Sequence, residues 1–165
     1  MIRIGFHKVP VCEPSARTII NLSPKGCLIF KGRAHIGNGS KIYVAEGAEL
    51  VFGDNFAISA SSQINCYKCI VFGRDIQFSW DCLVMDSDTH IIYNVNDEII
   101  NAPKEIFIGD KVWIGCRTTI LKGTIVPDNC VIGACSLVSG TKFEPNSIIV
   151  GNPAKSKRMI KGWDL

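Results

Sequence analysis

The chain has 165 residues, with 18 Lys and Arg against 15 Asp and Glu, for a formal net charge of +3. That length makes one domain able to bury a core, and 47% apolar against 20% charged residues excludes a disordered or acidic solvating chain. The small basic excess excludes the strong bias of a dedicated nucleic-acid binder, and no apolar run approaches the ~20 residues of a membrane-spanning helix.

Met1–His7 holds no continuous apolar stretch of the kind a signal peptide needs, so the chain reads as cytoplasmic. There are 24 Ile and 12 Val against only 7 Leu. An excess of β-branched side chains on this scale favours strands over helices. The eight cysteines read as unpaired thiols of a reducing compartment. Cys66-Tyr67-Lys68-Cys69 is the one C-x-x-C. It lacks the second pair or nearby histidines that zinc requires, so small buried hydrophobes are the default reading.

In chain order, residues 1–27 read as an irregular N-terminal segment. A period of six then begins: Phe30, Ile36 and Ile42 form one register, Phe52, Ile58, Ile64 and Ile70 a second, and Phe72, Phe78 and Val84 a third. The period is cleanest further on, at Ile108, Ile114, Ile120, Val126, Ile132 and Val138. Four positions after each of the first five come Val112, Thr118, Thr124, Cys130 and Ser136, all small or β-branched. Six residues fit a short strand plus a tight corner. A single unit cannot bury its aliphatic, so stacked coils of three units, 18 residues each, are predicted over 28–150, an all-β architecture.

One interruption breaks the period, a protruding loop over 86–106. A loop of that length inside a compact repeat usually serves function. Asp86-x-Asp88-x-His90 stands at its root, and in an extended chain all three side chains project to one side. That offers either an acid–base pair or three N/O metal ligands. No further histidine nearby completes a zinc set, so no metal is expected. The chain closes on Gly151-Asn152-Pro153-Ala154-Lys155. Asn152 as N-cap and Pro153 as first helical residue predict a short C-terminal helix to about Lys161. Residues 152–165 carry four basic side chains and one acidic, so the whole net charge sits in this tail.

The segment Ile108-Gly-Asp-Lys-Val-Trp113-Ile-Gly-Cys-Arg-Thr-Thr-Ile120, with Ile132-Gly-Ala-Cys-Ser-Leu-Val138 and Gly151-Asn-Pro-Ala-Lys155, resembles the hexapeptide-repeat acyltransferases, nearest in flavour to sugar O-acetyltransferases of surface-polysaccharide synthesis. The resemblance implies a left-handed parallel β-helix, a homotrimer with sites between subunits, and acetyl-CoA as co-substrate. It implies His90 as general base, for which the spacing offers Asp88, or else Asp86, as the orienting carboxylate, with Trp113 lining the site and the Cys116 amide serving the oxyanion. It places Ala134 against the pantetheine arm, Thr141 and Lys142 at a further coenzyme contact, and Lys155 and Arg158 on the phosphates. The implied acceptor is a hydroxyl of a sugar or polysaccharide precursor, with an amino group of a small acceptor as the variant. Readings of another class are a carbonic-anhydrase-like zinc enzyme, disfavoured by the histidine count, and a non-catalytic scaffold, which gives no reason for His90 or the loop.

Overall fold

An inward aliphatic every six residues can be buried only if successive units stack. In the computed structural model, which describes residues 1–6, 13, 15–140 and 143–164, they do. Among the described residues, eighteen of nineteen strands, two to five residues long, wind into a three-faced parallel coil, and the last pairs antiparallel at its end.

The first face runs through β1 (Ile2–Phe6), β4 (Ala34–Gly37), β7 (Phe56–Ala60), β10 (Gln77–Trp80), β13 (Trp113–Ile114), β16 (Val131–Ile132) and β18 (Ser147–Gly151). The second carries β2 (Ile19–Leu22), β5 (Lys41–Val44), β8 (Gln63–Cys66), β11 (Leu83–Met85), β14 (Thr119–Leu121) and β17 (Leu137–Val138). The third carries β3 (Cys27–Phe30), β6 (Glu49–Phe52), β9 (Cys69–Phe72), β12 (Ile106–Ile108) and β15 (Ile125–Val126).

Register aligns the predicted aliphatics. Ile36, Ile58, Phe78, Ile114 and Ile132 are successive partners up the first face, and Ile42, Ile64, Val84, Ile120 and Val138 up the second. All are buried, each worth about 1.5–3 kcal/mol of removal from water. The second repeat position is buried as well. Thr118, Thr124 and Ser136 satisfy their hydroxyls on the carbonyls of Gly133, Leu121 and Gly133 respectively.

Coil length is not constant. Ala34 pairs with Phe56, 22 residues on; Ala57 with Gln77, 20 on; Trp113 with Val131, 18 on. The wider early coils are filled by Phe52, Phe56, Phe72 and Phe78, whose rings lie 4.2–5.7 Å apart. The 18-residue coils hold mainly aliphatic and small side chains, with Phe143 the one buried ring at the far end among the described residues.

Two expectations are corrected. Residues 1–27 are not wholly irregular, since β1 and β2 already pair in register with β4 and β5. No C-terminal helix forms; the tail is β19 (Ala154–Met159), antiparallel to β18. Asn152–Pro153 is a cis bond inside a tight turn, with Gly151 at φ 116°. The pair that reads as N-cap and first helical residue is therefore hairpin chemistry. Beyond it the side chains follow a strand's period of two, with Ala154 buried, Ser156 half-buried, and Lys155 and Lys157 exposed. The open edge of β18 is covered all the same, by a strand.

Candidate active site

The excursion between β11 and β12 leaves at the corner joining the second face to the third. Asp86, at its root, is fully buried and turned toward the preceding coil. Its Oδ1 accepts the Tyr67 N–H (2.7 Å) and its Oδ2 those of Lys68 (2.8 Å) and Cys69 (2.9 Å). This carboxylate builds the corner and does not face the loop. Asp88 and His90 are exposed, so the three side chains do not share one side, because the chain is not extended here.

Asp88 is engaged elsewhere. Its Oδ2 accepts hydrogen bonds from Lys122 Nζ and from Asn101 Nδ2 (2.9 Å), and the same Lys122 ammonium donates to the Asn101 carbonyl (2.8 Å). The Lys122 hydrogen bond, then that of Asn101, holds the Asp88 carboxyl below its ordinary value. Asn101 Nδ2 also donates to the His90 carbonyl (2.8 Å), and the His90 N–H donates to the Asp88 carbonyl (2.8 Å). Asp88 therefore positions His90 through the backbone, and its carboxylate is held by Lys122 and Asn101. Sequence reasoning missed both partners. They lie 34 and 13 residues from Asp88, and no spacing rule links them.

Cys116 and Ala134 sit one above the other at the corner between the first and second faces, with the Cys116 carbonyl accepting the Cys135 N–H (2.9 Å). Gly115 permits the stacking, since a Cβ there would meet the Ala134 nitrogen at 2.7 Å. At the third-to-first corner the matching amides of Arg33, Arg74 and Asp110 are capped by carboxylates of Asp54, Asp110 and Asp128 from the next coil. At Cys116 and Ala134 no such carboxylate follows, and among the described residues neither N–H has an acceptor. Two backbone donors without a protein acceptor among the described residues thus stand at one corner.

Trp113 is about half exposed on the first face, with Nε1 donating to Ser79 Oγ (3.4 Å). Its ring centroid is 6.4 Å from that of Trp163, a third residue missed from sequence. Lys155 and Arg158 are exposed on β19, opposite Val150 and Ile148. Thr141 and Lys142 lie outside the described residues. Among the described residues no three His, Cys, Asp or Glu side chains converge as a metal would require.

His90 and Cys116 flank the second face on opposite edges, separated by the run Thr118–Lys122. At ~3.3 Å per residue that run spans ~13 Å.

Residues 105–140 match the family described as bacterial transferase hexapeptide (six repeats). The chain is 33% identical over 141 residues to the probable acetyltransferase Rv3034c of Mycobacterium tuberculosis, matching 82% of this chain but only 46% of that protein. It is 30% identical over 140 residues to the putative lipopolysaccharide biosynthesis O-acetyl transferase WbbJ of Escherichia coli K12, covering 79% of this chain and 70% of WbbJ. The chain thus spans from about half to two thirds of these relatives. Its fold superposes on the polySia-specific acetyltransferase NeuO with a TM-score of 0.72 at 21% identity, over 100% of this chain and 88% of NeuO. A stacked hexapeptide coil, the Trp113-Ile114-Gly115 corner and these likenesses agree: the chain belongs to the hexapeptide-repeat acyltransferases, and its coil is their left-handed parallel β-helix.

Proposed function

We propose that the protein transfers an acetyl group from acetyl-CoA to a hydroxyl of a sugar or polysaccharide precursor, directly and with His90 as general base. The observation that carries this reading is the Lys122–Asp88–Asn101 clamp, which fixes the His90 backbone at the root of the excursion while leaving the imidazole exposed. The imidazole accepts the acceptor hydroxyl's proton as its oxygen attacks the thioester carbonyl carbon. The Cys116 N–H donates to the developing oxyanion. The tetrahedral intermediate collapses, the C–S bond breaks, and the imidazolium returns its proton to the departing sulfur. The products are the sugar ester and free CoA.

Ala134 lies one coil further along the same corner, in line for the pantetheine arm, and Lys155 and Arg158 beyond it suit the coenzyme's phosphates. The opposite placement of His90 and Cys116 calls for a neighbouring copy at each site, which a closed homotrimer supplies. Acetyl-CoA as donor fits a cytoplasmic protein.

The test is thiol release from acetyl-CoA against a panel of sugars, amino sugars and nucleotide sugars. His90→Ala is expected to lose transfer by about 10²-fold or more while CoA binding persists. Equal rates in the two proteins would remove His90 from the mechanism. Preference for amino sugars would move the acceptor to nitrogen with the same base. A Lys155→Ala/Arg158→Ala variant is expected to raise the KM for acetyl-CoA and to flatten its dependence on salt. An unchanged KM would leave the tail without a coenzyme role.

A further inference from the structure

The outer surface of the first face carries a groove that the acetyl-transfer chemistry above does not use. It lies along the third-to-first corner, on the far side of Trp113 from the Cys116–Ala134 corner. Two contiguous hollows of about 330 and 250 Å³ share Asn55 and Gln77. The first is lined also by Arg3, Arg33, His35 and Ala57, the second by Asp75, Lys111, Trp163 and Asp164.

The chain folds back on itself to place Trp163 there. After β19 the Ile160 N–H donates to the Asn146 carbonyl (2.8 Å), and Asn129 Nδ2 donates to the Lys161 carbonyl (3.1 Å). Asp164 pairs with Lys111 (3.7 Å), and Trp163 Nε1 donates to the Lys111 carbonyl (2.8 Å). The indole is thereby held beside Trp113 with its polar atom already satisfied, leaving the ring for apolar contact.

Next to it stand planar hydrogen-bonding groups on rigid coil. Asn55 Nδ2 donates to Asp75 Oδ1 (2.7 Å), an arrangement that leaves Asp75 Oδ2 and Asn55 Oδ1 as acceptors, and the Gln77 amide borders both hollows. The outward column Arg3, His35, Ala57, Gln77 and Trp113 is in continuous register, and Ala57 keeps its middle low. Four steps at ~4.8 Å make ~19 Å, longer than one sugar ring.

A pyranose presents an apolar C–H face and an edge of hydroxyls. An indole beside carboxylate and carboxamide groups is complementary to both. We propose that this groove is a saccharide track holding an acceptor chain of several sugar units, with Trp163 as its platform. The transfer reading explains what the bound chain is for, but binding itself can be measured without transfer.

The experiment is retention of the protein on an immobilised array of bacterial surface oligosaccharides, one to eight units long, neutral and sialic- or uronic-acid-containing. Wild type is expected to bind chains of three or more units of at least one composition and to ignore the monosaccharides. Trp163→Ala is expected to lose at least tenfold in retention and Trp163→Phe to recover most of it, with the melting temperature and CoA binding unchanged. Asn55→Ala/Gln77→Ala, which leaves the tail alone, is expected to weaken retention too. Absence of retention for wild type on the whole array would overturn the track, as would equal retention by both alanine variants, or a Trp163→Ala effect confined to CoA. Failure of acetyl transfer with glycan retention intact would overturn only the enzymatic reading.

Discussion

Asp86 and Asp88 are two residues apart, and only their surroundings give them different tasks. Asp86 is buried on three successive backbone N–H groups. Asp86→Asn keeps the shape but presents one acceptor oxygen where there were two. At least one amide then loses its partner, so we expect a loss of about 2–4 kcal/mol, read by urea unfolding. Asp88 lies at the surface, clamped by Lys122. Lys122→Ala is expected to leave stability nearly unchanged and to lower kcat about tenfold through a loosened His90, with CoA affinity retained. Because folding lowers the Asp88 pKa, the clamp is intact above the ordinary carboxylate value of about 3.9 and is lost as pH falls through the lowered one. Pepsin should therefore leave the loop uncut just below pH 3.9 and cut it only in stronger acid. The thiols divide in the same way. Burial, aided by the nearby Asp86 charge, pushes Cys66 up to about 12, and burial pushes Cys82 up to about 11. Both should resist iodoacetamide at neutral pH, while exposed Cys27 and Cys135 react first, as peptide mass mapping would show. The sequence shows Asp86, Asp88 and His90 at alternate positions, but not the directions of their side chains. Direction depends on Tyr67–Cys69, Asn101 and Lys122, which come near only after the coil is wound.

Among the elements, the inward column was legible because one face of every strand must find the same core, so Ile or Val recurs wherever the coil has constant length. It faded upstream because the 22- and 20-residue coils shift the count, which is why three registers replace one. The tail strand was misread because Asn-Pro serves a helix start and a tight turn alike, and only the alternation from Ala154 onward separates them. The corners make a further prediction. A Cβ at Gly37 would lie 1.9 Å from the Ser59 carbonyl oxygen, a backbone atom, whereas Gly47 at φ +69° has nothing within 4 Å. Gly37→Ala should cost about 3 kcal/mol or more because the next coil must move. Gly47→Ala should cost only the left-handed backbone penalty of about 1–2 kcal/mol. Thermal melts of the two variants in the same buffer compare them directly.

For the molecule as a whole, the excursion carries Ile91, Ile92, Tyr93, Val95, Ile99 and Ile100 in the open, gathered around the Tyr93–Ile99 bridge. So many apolar side chains at one tip belong against another surface. With His90 and Cys116 at opposite edges of one face, the homotrimer proposed above would supply that surface and complete the site with one contact. Light scattering is expected to return three times the 18.1 kDa chain mass, and Ile92→Asp/Ile100→Asp to lower it and transfer activity together. A monomeric wild type at full activity would sink the shared site. The narrowing from 22-residue coils packed with phenylalanine to 18-residue coils packed mainly with isoleucine and valine gives the rod a thick end and a thin end. A coil is thus defined by its floor in the stack as much as by its motif. Moved from the thin end to the thick, it would leave a void where rings had been; moved the other way, it would not fit. Segments exchanged between relatives can succeed only floor for floor, so a protein that looks built of interchangeable parts has an order that recombination must respect.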